Sequence, residues 1–184
     1  MATPFDKLPA VDPESGLLNV VVDTPKGSRN KYKYDDKHGV WRLRKVLPLG
    51  ASFPFDFGFL PATKGEDGDP VDVLVLMDEP AFPGCVVPAR LIGVLEAEQT
   101  EDGKTVRNDR LLAVLETPYN PPPYRSLEEL GGQRLAEIEH FFASYNSMEG
   151  RQFRPLGREG PERARELVEQ ASNGATRRRG RGKR

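Results

Sequence analysis

An α+β fold with a mainly antiparallel sheet is what this chain predicts, on three observations. Short runs rich in β-branched residues, bounded by turn residues, recur from Leu18 to Glu116. Helical patterns come only afterwards, from Ser126 onward. At 184 residues with 37% hydrophobic content, the chain can bury one sizeable core, so one domain is expected.

Residues 1–16 carry prolines and acids without periodicity and are expected to form an arm, mobile or loosely draped on a folded domain of residues 17–174. Leu18 to Asp23 reads as the first strand, and Pro25-Lys26-Gly27-Ser28 as a turn. In Lys31 to Asp35 the alternation puts Lys31, Lys33 and Asp35 on one face and Tyr32 and Tyr34 on the other. A third strand is expected over Gly39 to Val46, with His38 a solvated residue of the turn before it. Phe53 to Pro61 is too broken by Pro and Gly for a helix and too aromatic for a free loop. It is expected to line a wall, plain core packing being the other reading. Asp72 opens a strand whose run Val73-Leu74-Val75-Leu76 suits burial on both faces.

Strands are expected again at Val86 to Leu95 and Leu111 to Glu116, flanking a hydrophilic segment with a Glu-Asp-Gly tip at Glu101 to Gly103. Ser126-Leu127-Glu128-Glu129 has the form of a capping box, and Gly131-Gly132 should interrupt the helix it starts. From Gln133 to Tyr145, the apolar residues Leu135, Ile138, Phe141 or Phe142 and Tyr145 fall at helical spacing. His140 sits beside that stripe and reads as structural. A last helix begins at Pro161 and is expected to end at Asn173-Gly174, leaving residues 175–184 as a disordered basic tail.

Chemistry concentrates between Gly65 and Leu76. Asp67 and Asp69 flank Gly68 in a tight turn, and Asp72 follows at the mouth of the strand. An acidic turn is the bland reading. Three carboxylates so close together repel unless cations or protons neutralise them, and hard divalent cations such as magnesium, which take oxygen ligands, do so best.

Net charge is −1, but the tail holds six of the 27 basic residues, so the body is near −7. Solubility alone would explain such a balance, and bound metal ions would reconcile it with an anionic ligand. The lone Cys85 reads as a small buried hydrophobe. No run approaches the roughly 18 apolar residues of a membrane helix, and the N-terminus lacks a signal-peptide pattern, so a cytoplasmic location is expected.

Asp67-Gly68-Asp69-Pro70-Val71-Asp72, with Val73-Leu74-Val75 after it, resembles the signature of the soluble family I inorganic pyrophosphatases. The resemblance runs from about Val20 to Tyr145, through Lys31-Tyr32, Phe53-Pro54-x-x-Phe57-Gly58-Phe59, Pro83-Gly84, Gly93-Val94-Leu95, Leu111-x-Ala113-Val114 and His140-Phe141-Phe142-x-x-Tyr145, all in the family's order. It implies a twisted five-stranded OB-like β-barrel with C-terminal helices packed outside. It also implies hydrolysis of pyrophosphate to two phosphates by a metal-activated water, Mg2+ as cofactor, and a homo-oligomer.

By the same resemblance Asp67 and Asp72 bind metal, and Asp69 helps deprotonate the attacking water. Lys31 holds a phosphoryl oxygen, Lys45 and Arg110 keep the charges of a family Arg and Lys, Tyr145 donates its hydroxyl, and Asp23 stands in for a longer Glu. The departures cluster in the pocket. Lys33 falls where the family has a carboxylate, Gln99 and Asn108 where metal-binding aspartates are expected, Asn146 at a Lys, and Phe53 and Phe57 at tyrosines. Asp109, Glu98 or Asp102 are the acids available to take over the metal roles, Asp109 being one residue away. Three consequences stand open: Lys33 in place of one cation, an organic substrate lying on Phe53 and Phe57, or a phosphate or nucleic-acid binder without catalysis. In the last, the basic tail supplies affinity for polyanions.

Overall fold

The computed structural model describes Phe5 and residues 7–181, with side chains as far as residue 172. Its strands are β1 (Leu18–Thr24), β2 (Asn30–Asp35), β3 (Val40–Val46), β4 (Asp56–Phe59), β5 (Asp72–Leu76), β6 (Val86–Glu101), β7 (Lys104–Arg107), β8 (Arg110–Leu115) and β9 (Gln152–Glu159). Helices α1 (Leu127–Leu130) and α2 (Gly132–Ser147) precede β9, and α3 (Pro161–Arg181) follows it.

Strands β1, β4, β5, β8 and β6 pair in that order, and β6 pairs back onto β1, so five strands close a ring. Every pairing in the ring is antiparallel except β5 with β8. This is the expected five-stranded barrel, with β7 and β9 extending it from β6 and the β2–β3 hairpin standing as a separate two-stranded sheet.

Alternation along the strands divides the core. Val73 and Val75 pack with Leu111, Ala113 and the α3 residues Ala164 and Val168, whereas Leu74 and Leu76 pack with Leu112, Val114 and the helical residues Leu127, Leu135, Ile138 and Phe142. Both faces of β5 are therefore buried, as its continuous apolar run predicts. Each such side chain contributes about 1.5–3 kcal/mol, and Leu74→Ala would cost about 2–5 kcal/mol because the packed site could not collapse. Closure of β1 on β4 also needs Gly58, since a Cβ there would lie 2.2 Å from the Val21 carbonyl oxygen.

Several elements differ from the sequence reading. The Phe53 to Pro61 stretch contains strand β4, paired to β1 and β5. Strand β9 was not expected, because Pro155, Gly157 and four charged residues between Arg151 and Glu159 hide it; only Phe153 is buried. It exists because the long β6 offers an edge, reinforced by Arg154 at 2.6 Å from Glu98. The capping box is half made. Ser126 is extended but caps no helix N–H with its side chain, while Glu129 accepts from the Arg125 N–H at 2.8 Å.

Helix α3 continues past Asn173-Gly174 to Arg181, Gly174 being tolerated inside a helix at about 1 kcal/mol relative to Ala. The basic side chains of 175–184 lie outside the described residues. The N-terminal arm is draped on the body: Phe5 sits 5.2 Å from the Tyr34 ring and 5.9 Å from Phe59, Ala10 is buried, and Val11 bridges to Leu18. No helix among the described residues is long and apolar enough to cross a membrane.

Candidate active site

The turn before β5 is built as its residues suggest. Gly68 takes a φ of 94°, its N–H donates to the Gly65 carbonyl at 3.2 Å, and the Gly65 N–H donates to the Asp69 carbonyl at 2.8 Å. The Asp69 N–H donates to Asp67 Oδ1 at 3.0 Å, which leaves the second Asp67 oxygen available. Asp67, Asp69 and Asp72 all line one cleft of about 1110 Å³, and so do Lys31, Lys45, Arg110 and Tyr145. Seven of the eight residues expected at the site are thus brought together.

The eighth is corrected. Asp109 does not line the cleft, because Asn108 and Arg110 face it and the residue between them points away. Its Oδ1 accepts from the Ala97 N–H at 2.9 Å and lies 2.8 Å from Arg107 Nη2. Glu98 and Asp102 do not replace it: Glu98 pairs with Arg154, and Asp102 occupies the β6–β7 tip at a φ of 50°. Where carboxylates were expected the cleft carries amides instead, Asn108 Nδ2 donating to Gln99 Oε1 at 3.0 Å, with Asn108 Oδ1 accepting from Arg110.

Two of the acids already face cations of the chain. Arg110 Nη1 lies 2.7 Å from Asp72 Oδ2, and Lys33 Nζ lies 3.7 Å from Asp69 Oδ2. Burial pushes the Asp67 carboxyl above its ordinary value, and the nearby Asp72 and Asp69 charges push the same way. Asp23, at the end of β1, is the acid that the resemblance sets in place of a longer Glu. It lines the cleft, its Oδ1 is buried without a hydrogen-bond partner, and burial raises its pKa to about 7 although Lys31 opposes the shift. Nothing local in Val22-Asp23-Thr24 marks it; it shares the cleft with Asp67 and Asp72 although β4 lies between β1 and β5.

The basic wall rests on aromatic faces. Lys31 Nζ stands 4.5 Å from the Phe57 centroid and 5.6 Å from Phe53, Lys45 Nζ stands 4.1 Å from Tyr145, and the Arg110 guanidinium lies over Phe142 and Phe153 at 5.3 and 5.7 Å. Such stacking holds a cation in place while its outer side stays free. Phe53 and Phe57 are 1% and 3% exposed, so their role is to floor Lys31. Asn146 is buried and donates to the Phe142 carbonyl at 2.8 Å, adding no charge. His140, exposed on α2, is not among the cleft residues.

Comparison with known proteins shows the family. The model of the inorganic pyrophosphatase family matches residues 20–175. The chain belongs to the inorganic pyrophosphatase family. It is 40% identical to the inorganic pyrophosphatase of a Synechocystis species over 90% of this chain and 95% of that protein. It is 36% identical to that of Methanosarcina acetivorans over 87% and 93%. The crystal structure of the Thermus thermophilus inorganic pyrophosphatase superposes with a TM-score of 0.83 at 30% identity, covering 94% of this chain and 98% of that one.

Inorganic pyrophosphatases of this family are metal-dependent, and the donors here suit a hard divalent cation: all are carboxylate oxygens, and one of them, Asp23 Oδ1, is buried with nothing to bind. Among the described residues no three acidic, His or Cys side chains converge on one point, and Lys33 and Arg110 lie against two of the carboxylates.

Proposed function

We infer that this chain hydrolyses inorganic pyrophosphate to two phosphates, and that magnesium is the cation it uses. The observation that carries this reading is the division of one cleft into an acidic corner, Asp23, Asp67, Asp69 and Asp72, and a basic wall, Lys31, Lys45 and Arg110. Asp67, Asp72 and Asp23 would hold the cation. Bound there, magnesium supplies charge neutralisation for the phosphates and acidifies a water near neutral pH.

The chain's own residues supply the rest. Asp69, exposed at the tip of the turn, takes the proton of the attacking water. Lys31 and Lys45 neutralise phosphoryl oxygens as point charges, and Arg110 offers a planar fork. Their aromatic floor keeps them from following the substrate, so charge stabilisation costs no rearrangement at the moment of reaction. Tyr145 Oη adds a neutral donor. An organic substrate stacked on Phe53 and Phe57 is not favoured, because Lys31 covers both rings.

The same reading takes the chain as a homo-oligomer of the cytoplasm, in keeping with exposed apolar side chains such as Leu43, Val46 and Leu49 on and beside β3. The basic residues of 175–184 would make a weak, salt-sensitive contact with polyanions. Phosphate release from pyrophosphate with magnesium, followed by chelation, tests the function: release that stops on chelation is expected, and release that persists contradicts it.

A further inference from the structure

Glu149 follows the end of α2, just before Gly150, whose φ of 73° turns the chain toward β9. Its carboxylate is wedged between two cations of the cleft, Oε1 against Lys45 Nζ and Oε2 3.3 Å from Arg151 Nη1. Arg151 Nε is in turn 2.9 Å from Glu101. The Glu149 side chain is only 19% exposed, and it forms an ion pair with Lys45.

Lys45 needs that charge. It pairs in register with Lys31 of β2, has Arg44 as its neighbour on β3, faces Arg151 from beyond α2, and lies on the Tyr145 ring. Burial first, and then the charges of Lys31, Arg151 and Arg44, pull its ammonium down to about 8. Among the described residues Glu149 is the acid within ion-pair distance of Lys45, set opposite those like charges.

We propose that Glu149 is a positioning residue that keeps Lys45 charged and aimed into the cleft, so that pyrophosphate meets an ammonium rather than a neutral amine. A carboxylate that instead competes with phosphate for Lys45 would have to swing away on binding. Doing so would also break its pairing with Arg151 and leave that guanidinium to Glu101 alone.

This inference rests on the cleft being a pyrophosphate site, so the test measures binding separately from turnover. Calorimetric titration with imidodiphosphate, a pyrophosphate analogue that resists hydrolysis, is run with magnesium from about pH 6 to about pH 10, beside phosphate release by the parent. Parent affinity should weaken above about pH 8 as Lys45 loses its proton. Glu149→Gln should move that weakening about one pH unit lower, making binding about fivefold weaker near pH 8 and about tenfold weaker near pH 9. Glu149→Asp should restore most of it. Lys45→Arg, always charged, should flatten the alkaline limb and make it insensitive to Glu149→Gln.

Tighter binding by Glu149→Gln would overturn the proposal in favour of competition. A pH dependence identical to the parent's would reduce Glu149 to a packing residue. Should Glu149→Gln fail to fold, Lys45→Arg still decides, because a parent-like alkaline limb in that variant overturns the proposal. A parent that neither binds imidodiphosphate nor releases phosphate refutes the site itself, an outcome distinct from these.

Discussion

Asp72 and Arg110 each open a strand of the one parallel pair in the barrel, and their side chains meet across it at 2.7 Å. Arg110 is 5% exposed and lies over two aromatic rings, so it cannot follow solvent, and Asp72 is held where Arg110 puts it. One carboxylate oxygen serves the guanidinium.

Asp72→Asn keeps the size of the side chain and removes its charge. It is expected to abolish magnesium-dependent hydrolysis while retaining the fold, at about 1–2 kcal/mol, between the values for exposed and buried pairs. Turnover and circular dichroism check it; unchanged turnover would remove Asp72 from the site.

Lys33 and Asp69, 3.7 Å apart, are both well exposed, so their pair adds little stability and acts mainly by placing a positive charge beside the acidic corner. Lys33→Glu reverses that charge. The variant is expected to bind more magnesium and to hydrolyse pyrophosphate faster, read by titration calorimetry and phosphate release. Identical stoichiometry, affinity and turnover would make Lys33 a surface lysine.

Asp23 links stability to pH. Its folded-state pKa, about 7, lies above its ordinary 3.8, so its protonated form is favoured by folding. Stability is full below about pH 4, falls as pH rises toward 7, and is lost by up to about 4 kcal/mol above that. Without divalent cation, thermal midpoints should therefore drop between about pH 4 and 7. Asp23→Asn should flatten the drop, and magnesium should offset it in the parent alone. A parent curve already flat without metal would contradict the buried, unpartnered carboxylate.

Gly58→Ala places a methyl against the backbone of β1 and should destabilise the barrel by about 3 kcal/mol or more. Chemical denaturation measures this; a loss under about 0.5 kcal/mol would mean that β1 and β4 close less tightly.

The barrel was legible because its strands carry local signals: the double-sided burial of β5 is written in four consecutive apolar residues, Val73 to Leu76. Strand β9 was not, since its residues satisfy an edge of β6 rather than a core, and no period in Gln152 to Glu159 reveals a partner 50 residues away. The acidic turn brings Asp67, Asp69 and Asp72 into one cleft because Gly68 and Pro70 fix them locally. Asp109 misled because one residue of phase decides whether a strand residue faces the cleft or the far side, and phase at a hairpin end depends on the turn. Asp23 was legible only through the resemblance, and Glu149 owes its place beside Lys45 to long-range packing, which no single stretch of sequence displays.

The central claim is that this cleft accepts pyrophosphate itself. Phosphate release with magnesium, measured in parallel on pyrophosphate, a nucleoside triphosphate and tripolyphosphate at equal concentration, tests it most directly. Rapid release from pyrophosphate, lost in Asp72→Asn, is the result expected. Faster release from either longer substrate, or none from pyrophosphate, would contradict it.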